Sequence, residues 1–485
     1  MPEAHSEPVP ADGPTGAPEP ALIERTSRER TSVDLLVLGA GTAGLAAAAR
    51  AARRGRSVLV LDHAEHVGGL AASFDLAGMS VDYGSHRLPA RLAPDVLADL
   101  EKLLGPDLQT RRRTARVRVA DRWVPLERPA SDLRRLLPHP MVTAMIWDAT
   151  RTALHRRGGE DYADAMRARV GRRIYDAVHE PYARKIWNQP GSRLDADATG
   201  RIVGADITWR AGRKYRAAGS EYRYPRRGFG QIAAALADAA VEAGAEIRLG
   251  TEIDAVEPAF GSVTVRTLEG ASLTGRHAFS TLPLPRLARS TRPGPPLGAI
   301  ETATRLRFRA MVLVFLVHEG GRWTPHDCHH LPGDDTPVLR ISEPANYRDN
   351  AEDPTGHTVL CAELPCAVGD EIWTASEADL ADLVVEAAAR TDLPAIRVAQ
   401  VQVHRSAMYY PTYTLGYDRD LHGLDSWLRG IPSVTSFGRF GLFFHDNTHH
   451  ALLLAREAVN ALGPDGAFDH LQWERGRERV EALLD

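Results

Sequence analysis

One segment near the amino terminus restricts the possible folds more than any other part of the chain. An apolar run at residues 32–38 is followed by Gly-Ala-Gly-Thr-Ala-Gly at 39–44, an alanine-rich stretch that ends at Gly55, and a second apolar run at 57–62. A strand, a glycine turn, a helix and a second strand within about 30 residues are typical of a parallel βαβ unit. The pattern therefore predicts an α/β fold built on a parallel sheet.

The glycines of this turn, Gly39, Gly41 and Gly44, have the G-x-G-x-x-G spacing. The first permits a tight turn, the second lets the main chain approach a pyrophosphate, and the third lets helix and strand pack closely. The helix N-terminus adds N–H donors and a partial positive charge. Asp62 ends the second strand, where a carboxylate can accept hydrogen bonds from a ribose. These residues predict a dinucleotide site, and by themselves they leave NAD and FAD open.

Composition argues against several classes of protein. The 485 residues are 44% hydrophobic and 25% charged, and the formal net charge of −4 predicts no nucleic-acid partner. Three cysteines without a CxxC pair favour a reducing, cytoplasmic compartment. Residues 1–32 are rich in Pro, Ala and Glu and lack the apolar core of a signal peptide, which predicts a disordered tail. The sequence has no apolar run of about 18 residues, so no membrane span is predicted.

Segments beyond Asp62 resemble a known family. Gly68–Gly69 follows the acid, and Asp82, Gly84 and His86 then form D-x-G-x-H. Four later segments are EPYARKIWNQP, YRYPRRGFGQI, FSTLPLPRL and GRFGLFFHDNTHHAL. In these motifs and their order, residues 33–462 resemble the FAD-dependent amine oxidase/protoporphyrinogen oxidase-like superfamily, which also includes phytoene desaturases and UDP-galactopyranose mutases. The resemblance implies that the dinucleotide is FAD.

The resemblance also implies which positions contact FAD. The pyrophosphate would lie on the glycine turn and the adenosine ribose on Asp62, although the family more often has Glu there. Gly69 and Ser73 would contact the flavin-side phosphate and the ribityl chain, and Ile253 would contact adenine through its main chain. The isoalloxazine would be contacted by Gly438, Arg439, Asn447 and Thr448. The last of these begins a helix whose N-terminus would point at the flavin N1–C2=O region, which suits the negative charge of a reduced flavin.

Segments with the pattern of a nucleotide-binding domain occur at the start, in the middle and at the end of the chain. This order predicts a Rossmann-like FAD-binding domain that is discontinuous in sequence, with a mixed α+β substrate domain built from the two intervening stretches. Residues 33–95, 220–295 and 400–465 are assigned to the FAD-binding domain. Residues 96–219 and 296–399 are assigned to the substrate domain, and residues 466–485 to a C-terminal helix.

Three residues are candidates for catalysis. His86 falls where an imidazole could face the flavin as an acid, a base or an orienting group, or could only hydrogen-bond a phosphate or the main chain. Lys185 is one of three lysines in an arginine-rich chain, and a partly buried lysine can lose its proton or form a structural salt bridge. The family's C-terminal loop commonly reads Asn-x-Asp-His, whereas residues 447–450 read Asn-Thr-His-His. His449 therefore replaces an acid beside the flavin.

Aromatic and basic side chains supply candidates for a substrate site. Tyr224 and Arg226 precede a glycine-containing helix start, and Tyr410 and Tyr413 lie in MYYPTY. They could enclose a substrate and bind an anionic group, although most such clusters are packing. The histidine-rich segments 326–330 and 445–450 lack the spacing of zinc sites, so no metal is predicted. Residues 133–157 are apolar with basic flanks, and a core helix is favoured over a helix lying on a membrane.

Taken together, the motifs predict a FAD-dependent oxidoreductase that oxidises or desaturates a small organic substrate by hydride transfer to flavin N5. A non-redox, mutase-like enzyme shares the same motifs, and in it the reduced N5 attacks the anomeric carbon of a sugar. A non-catalytic flavin-binding protein and a NAD dehydrogenase are two further alternatives. The substrate, the electron acceptor and the oligomeric state stay open.

Overall fold

The computed structural model describes residues 31–126, 139–143, 147–148, 159–201 and 221–483. The strands are β1 (Ser32–Leu38), β2 (Val58–Leu61), β3 (Ser73–Leu76), β4 (Met79–Asp82), β5 (Leu88–Pro89), β6 (Leu108–Arg112), β7 (Arg116–Val119), β8 (Arg122–Pro125), β9 (Glu221–Pro225), β10 (Glu246–Arg248), β11 (Ile253–Ala259), β12 (Ser262–Thr267), β13 (Ser272–Ser280), β14 (Phe308–Glu319), β15 (Cys328–His330), β16 (Arg340–Ser342), β17 (His357–Cys366), β18 (Val398–Pro411) and β19 (Val434–Ser436). The principal helices are α1 (Thr42–Arg53), α2 (Pro94–Leu104), α3 (Tyr162–Val170), α4 (Arg172–Ile174), α5 (Glu180–Trp187), α6 (Ala198–Arg201), α7 (Gln231–Glu242), α8 (Leu284–Ser290), α9 (Leu297–Arg305), α10 (Glu371–Thr374), α11 (Glu377–Arg390), α12 (Tyr417–Arg429), α13 (Gly438–Gly441), α14 (Thr448–Asn460) and α15 (His470–Glu481).

The first sheet contains the strand–helix–strand unit that the glycine turn predicts. Its strands β10, β2, β1 and β13 lie side by side in that order and run parallel, and β19 continues the parallel pairing at the carboxyl end of β13. The first part of β13 pairs instead with β12 in an antiparallel extension that ends at β11. Residues Leu35–Leu38 of β1 are fully buried, as is usual for a parallel strand that reads as a continuous apolar run.

Helix α1 lies against β1 and β2 and contacts both α7 and α14. Arg50 and Arg53 are its only residues that are not buried. The small alanine side chains allow this close packing, and the arginines lie in the last turn, where positive charge suits the helix dipole. One of them, Arg50, forms an ion pair with Asp99 of α2. This packing holds helix α14 next to the glycine turn.

The second sheet has the order β18-β14-β17-β16-β15-β7-β8. Strand β14 is the second in this order, and its residues 310–318 are all buried. Since successive side chains point to opposite sides of the sheet, both faces of the strand are covered. Met311 and Phe315 belong to the core shared with β4 and α5, whereas Val312 and Leu316 belong to the core under α11. One face of the second sheet therefore packs on the core between the two sheets. Its other face packs on helix α11.

The fold is a mixed α/β fold, as predicted. Two segments, however, pack with elements that the predicted domain bounds assign to the other domain. Residues 400–411 form most of β18, which pairs with β14 in the second sheet and not with the first. Residues 96–112 contain most of α2 and all of β6, which pack against α7 and β9. Both differences arise because periodicity predicts the type of an element but not the sheet it joins.

Two predicted segments lie largely or wholly outside the described residues. Residues 1–30 of the predicted tail are not described, and Ser32 already belongs to β1. Most of the apolar segment 133–157 is likewise not described. Among the helices of the described ranges, none combines the length and the apolar character needed to cross a membrane.

Candidate functional site

The glycine turn between β1 and α1 has no room for side chains at two of its three glycines. Gly39 has a φ of +115°, and a Cβ atom there would lie 2.1 Å from Oγ1 of Thr281. A Cβ on Gly44 would lie 2.0 Å from the main-chain oxygen of Gly39. A Cβ on Gly41, in contrast, would meet no heavy atom of the described residues within 4 Å. The turn is therefore closely packed against the protein on one side and open at Gly41.

Two distant segments of the chain meet this turn. The main-chain N–H of Gly68 donates to the oxygen of Ala40 at 2.8 Å, and a Cβ on Gly69 would lie 3.5 Å from Cα of Gly41. A Cβ on Gly438, whose φ is +82°, would lie 3.3 Å from Cβ of Ala43 in α1. The three glycine-containing segments therefore converge at the amino end of α1.

Asp62 and Ile253, predicted to contact the adenosine half, both have partners within the protein. The carboxylate of Asp62 accepts the main-chain N–H of Ala40 at 2.6 Å and that of Ala64 at 2.9 Å. The main-chain oxygen of Ile253 accepts from Arg286 at 3.1 Å. Asp62 thus holds the glycine turn itself, and its ribose contact stays a prediction.

Asp82 is the centre of a buried hydrogen-bond network. It accepts the hydroxyl of Ser73 at 2.6 Å, the N–H of Phe229 at 2.8 Å and the hydroxyl of Tyr224. Burial raises the pKa of Asp82, which these hydrogen bonds oppose. The predicted substrate contact of Tyr224 is not supported, because the ring is fully buried and its hydroxyl is bound to Asp82.

His86 lies in this buried region as a neutral imidazole. Its ring stacks on Phe229 with centroids 5.2 Å apart, and Nδ1 lies 3.2 Å from the oxygen of Gly84. Because a carbonyl oxygen can only accept, Nδ1 carries the hydrogen and Nε2 is left as an acceptor. Burial, aided by the nearby Arg439 and Arg340, lowers the pKa of His86 to about 3.

The residue before His86 connects to a buried ion pair that sequence reasoning missed. The N–H of Ser85 donates to Oε1 of Glu363 at 2.9 Å, and Oε2 of Glu363 lies 2.7 Å from Arg340. The ion pair is almost completely buried between β16 and β17. The available signal was a charged residue within each of two otherwise apolar strand segments. Such residues are almost never fully buried unless they are paired.

Tyr410 extends this pair to the C-terminal loop. Arg340 donates to its hydroxyl, and its ring stacks on His445 with centroids 4.8 Å apart. Tyr182 of α5 is within electrostatic range of Arg340, Glu363 and Tyr410. The hydroxyl of Tyr182 and Nε of Arg340 are buried and have no hydrogen-bond partner within the described part of the chain. The arrangement therefore offers two unused donors close to Glu363 and Tyr410.

Comparison with protein families identifies the family of this chain. A family model described as flavin-containing amine oxidoreductase matches residues 42–444, from the last residues of the glycine turn to Phe444 in the C-terminal loop. The chain belongs to this family. FAD is therefore its cofactor. No curated protein matches the chain by sequence.

Solved structures share the fold at low sequence identity. Reduced UDP-galactopyranose mutase is similar with a TM-score of 0.77 and 20% identity, over 92% of this chain and 98% of that one. A protein described as a protoporphyrinogen oxidase, from Exiguobacterium sp. 255-15, has a TM-score of 0.69 and 19% identity, over 89% and 98%. Putrescine oxidase bound to putrescine has a TM-score of 0.61 and 16% identity, over 88% and 98%. At these identities the likeness shows the fold alone.

The residues at the glycine turn fit the pyrophosphate of FAD. The open space at Gly41 lies beside the N-terminus of α1, whose first N–H groups lack partners within the helix. Oγ1 of Thr42, the first residue of α1, is buried without a hydrogen-bond partner among the described residues. Thr42 was not among the predicted contacts, and its position directly after Gly41 was the signal available in the sequence.

The C-terminal loop of this flavoprotein is held by its own side chains. Arg439 lies 3.3 Å from Oδ1 of Asp446 and donates to the main-chain oxygen of the same residue. The main-chain N–H of Asn447 donates to Nδ1 of His450 at 3.2 Å. Thr448 is the first residue of α14. His450 therefore replaces the Glu or Gln that usually returns to the start of a helix.

His449 and His450 are both neutral. Their rings lie 3.9 Å apart, and burial lowers the pKa of His449 to about 3 and that of His450 to about 4. Nδ1 of His449 is buried without a hydrogen-bond partner among the described residues. Two uncharged rings thus occupy the first turn of α14, where the family commonly has an acid. The predicted catalytic role of His449 stays a prediction.

The neutral state of His450 predicts a pH effect on stability. Between about pH 6.5 and pH 4 the unfolded chain binds a proton at this position that the folded chain does not, so its contribution to stability falls as the pH falls. His450→Gln keeps an acceptor for the N–H of Asn447 but does not titrate. Between about pH 7.5 and pH 5, we expect the melting temperature of this variant to fall less than that of the wild type. Equal falls would contradict the assignment.

Lys185 has contacts that differ from both sequence-based interpretations. Its ammonium group donates to the main-chain oxygens of Leu331 at 2.5 Å and Val338 at 3.1 Å. Burial lowers its pKa to about 8. Neither partner is a carboxylate or a flavin-site residue. The contacts support an anchor for the loop 331–338 and not the predicted catalytic role.

A substitution of Lys185 separates these roles. Lys185→Met keeps most of the apolar stem but leaves two carbonyls without their donor, which is expected to lower the free energy of unfolding by about 1–3 kcal/mol per carbonyl. Flavin absorption per chain is expected to stay unchanged. Lys102→Met, at an exposed position of α2, is the control and should leave stability unchanged. Unchanged stability of the Lys185 variant with loss of substrate-dependent flavin reduction would restore the catalytic role.

Two predicted substrate residues have structural partners instead. Arg226 lies 3.1 Å from Oδ1 of Asp107 and donates to the main-chain oxygen of Asp349. The hydroxyl of Tyr413 accepts the N–H of His445 at 2.6 Å, and its ring is buried. Tyr413 therefore fixes the C-terminal loop from behind. Of the four predicted substrate residues, Tyr410 is the one that joins the network around Arg340 and Glu363.

Two histidines of segment 326–330 have hydrogen-bond partners in or next to β7. His326 donates to the main-chain oxygen of Thr114 at 2.7 Å, and Nδ1 of His329 accepts from Arg116 at 2.7 Å. Across the residues that the structure describes, no group of His, Cys, Asp or Glu is arranged to hold a metal ion.

Proposed function

We propose that this protein is a FAD-dependent oxidoreductase that removes a hydride from a C–H bond of a small organic substrate. The observation that carries the proposal is the buried network of Arg340, Glu363 and Tyr410, which connects the His86 segment to the C-terminal loop. Both of these segments are parts of the family's flavin site by resemblance. A polar network of this kind between them is suited to orient a substrate against the cofactor.

Each part of the site has a separate task in this proposal. The open face at Gly41, the hydroxyl of Thr42 and the N-terminus of α1 would hold the pyrophosphate. Bound FAD supplies a two-electron acceptor, which takes up a hydride at N5. The loop at Gly438–Thr448 and the N-terminus of α14 would lie along the flavin, where the helix dipole favours negative charge.

The unused donors define what the substrate carries. The hydroxyl of Tyr182 and Nε of Arg340 can donate to the same type of group, an oxygen of a carbonyl, carboxyl or hydroxyl function. Because Glu363 already balances the charge of Arg340, the pair does not require a strongly anionic partner. The proposed substrate is therefore a small molecule with an oxygen acceptor close to the C–H bond that is oxidised.

His86 would orient the substrate by accepting a hydrogen bond from it. Its neutral ring, with Nδ1 bound to Gly84, leaves Nε2 as the acceptor. Because burial lowers its pKa to about 3, the ring would accept this hydrogen bond without becoming protonated at neutral pH. The stacking on Phe229 fixes the plane of the imidazole.

Anaerobic mixing of the purified flavoprotein with a panel of amines, alcohols, unsaturated lipids and nucleotide sugars tests the proposal. We expect at least one class with an oxygen acceptor to bleach the oxidised flavin band without any added reductant. A protein that acts on a nucleotide sugar only after prior reduction with dithionite, and without net oxidation of the sugar, would be the mutase-like alternative. No spectral change with any class would favour a non-catalytic flavin-binding protein.

A further inference from the structure

Asp446 has one bound and one unbound carboxylate oxygen in a buried position. Its side chain is 4% exposed. Oδ1 lies 3.3 Å from Nε of Arg439, whereas Oδ2 is buried and has no hydrogen-bond partner among the described residues. A buried polar atom without a partner is unfavourable, and this is most severe for a charged group. Such an atom in a folded protein points to a partner that is not part of the chain.

The position of Asp446 indicates where that partner comes from. It lies two residues before Thr448, the first residue of α14, in the loop that begins at Gly438. Gly438 packs on Ala43 at the amino end of α1. The free oxygen is therefore in a loop that joins the glycine turn to the N-terminus of α14. A negative charge is favourable at this end of a helix.

We propose that Oδ2 of Asp446 accepts a hydrogen bond from the flavin half of bound FAD. That half carries suitable donors, namely N3–H of the isoalloxazine and the hydroxyls of the ribityl chain. The inference rests on the proposed flavin site and adds to it a residue outside the predicted set of FAD contacts. It also assigns Arg439 a second task, which is to hold Asp446 in place. Arg439 donates to Oδ1 and to the main-chain oxygen of Asp446.

The ionisation of Asp446 agrees with an acceptor role. Burial raises its pKa to about 6, and the ion pair with Arg439 opposes that rise. At neutral pH the carboxylate is therefore ionised, and both of its oxygens are acceptors. His86 is close enough to Arg439 to be affected by its charge and is itself neutral, so it does not compensate Asp446.

Binding of FAD to the apoprotein tests this assignment without any knowledge of the substrate. Asp446→Asn keeps the size of the side chain and an oxygen for Arg439 but loses the charge and directs an amide group to the former position of Oδ2. We expect the Kd for FAD, from flavin fluorescence titration, to rise by about 10- to 100-fold. The melting temperature of the apoprotein should stay the same or rise, because an unpaired buried charge has been removed.

Asp425→Asn is the matched control. Asp425 is also a buried aspartate paired with arginine, but both of its oxygens have partners, Oδ1 with Arg477 at 2.7 Å and Oδ2 with Arg429 at 2.8 Å. Its replacement is expected to lower the melting temperature and to leave the Kd for FAD unchanged.

Two results would overturn the inference about Asp446. One is wild-type affinity for FAD in the Asp446→Asn variant. The other is a loss of apoprotein stability as large as that of Asp425→Asn, which would make Asp446 a structural residue. Failure of the wild-type apoprotein to bind FAD is distinguishable from both, because it removes the flavin site itself.

Discussion

Replacement of Gly44 by alanine is expected to destabilise the glycine turn and to abolish useful binding of FAD. The new Cβ would lie 2.0 Å from the main-chain oxygen of Gly39 and 3.2 Å from Cγ1 of Val37. Neither the turn nor β1 can move aside without separating α1 from the sheet. We expect the Kd for FAD to rise by more than about 100-fold and the melting temperature of the apoprotein to fall, measured by fluorescence titration and thermal unfolding.

Gly41→Ala is the matched comparison for this prediction. Its Cβ would meet no heavy atom of the described residues within 4 Å, and its φ of −72° is accessible to alanine. The apoprotein should therefore melt at the wild-type temperature. The methyl group would nevertheless occupy the space through which the pyrophosphate approaches the main chain, so the Kd for FAD should rise by about 10- to 100-fold. Wild-type affinity in this variant would show that the pyrophosphate lies elsewhere.

Glu363→Gln is expected to have the second large effect, on stability and activity together. The side chains of Glu363 and Arg340 are 0% and 5% exposed, respectively. The substitution therefore leaves the buried guanidinium of Arg340 without its counter-charge. Breaking a buried ion pair by removal of one partner typically costs about 3–5 kcal/mol. We expect urea unfolding to show a loss of this size, and we expect flavin reduction by substrate to slow, because Ser85 beside His86 loses a charged acceptor.

A double substitution distinguishes the ion pair from simple packing. Arg340→Met together with Glu363→Gln removes both charges, so part of the stability lost in the single variant should return. The double variant should still fail to orient the substrate, because a donor of the proposed substrate site is absent. If the stability loss of the double variant equals the sum of the losses of the two single variants, Arg340 and Glu363 are not a coupled pair.

The parts of the fold that could be predicted are those in which the signal is local. The glycine spacing, the flanking apolar runs and the acid at Asp62 all lie within one short segment, so the strand–helix–strand unit could be predicted from sequence. The convergence of Gly68–Gly69 and Gly438 on that unit was implied by family resemblance alone. Periodicity carries no information about contacts between residues so far apart in the chain.

The differences between the expected and the observed contacts of the site residues have the same physical origin. Tyr224 resembled a substrate platform because aromatic residues cluster near it, yet the alternation of β9 buries its ring and Asp82 binds its hydroxyl. Arg340 and Glu363 were missed because each is a single charged residue in an apolar strand, and only strand pairing brings them together. Lys185 was singled out by its rarity, whereas its partners are two main-chain carbonyls that no sequence pattern reveals.

The visible absorption spectrum of the purified protein is the most direct test of whether the chain binds FAD. We expect the two absorption bands of an oxidised flavin and the release of about one FAD per chain on denaturation, since the chain has one glycine turn of this kind. Gly41→Ala purified in parallel should carry less FAD and yet be folded. A colourless wild-type protein that also fails to take up added FAD would contradict FAD as the cofactor.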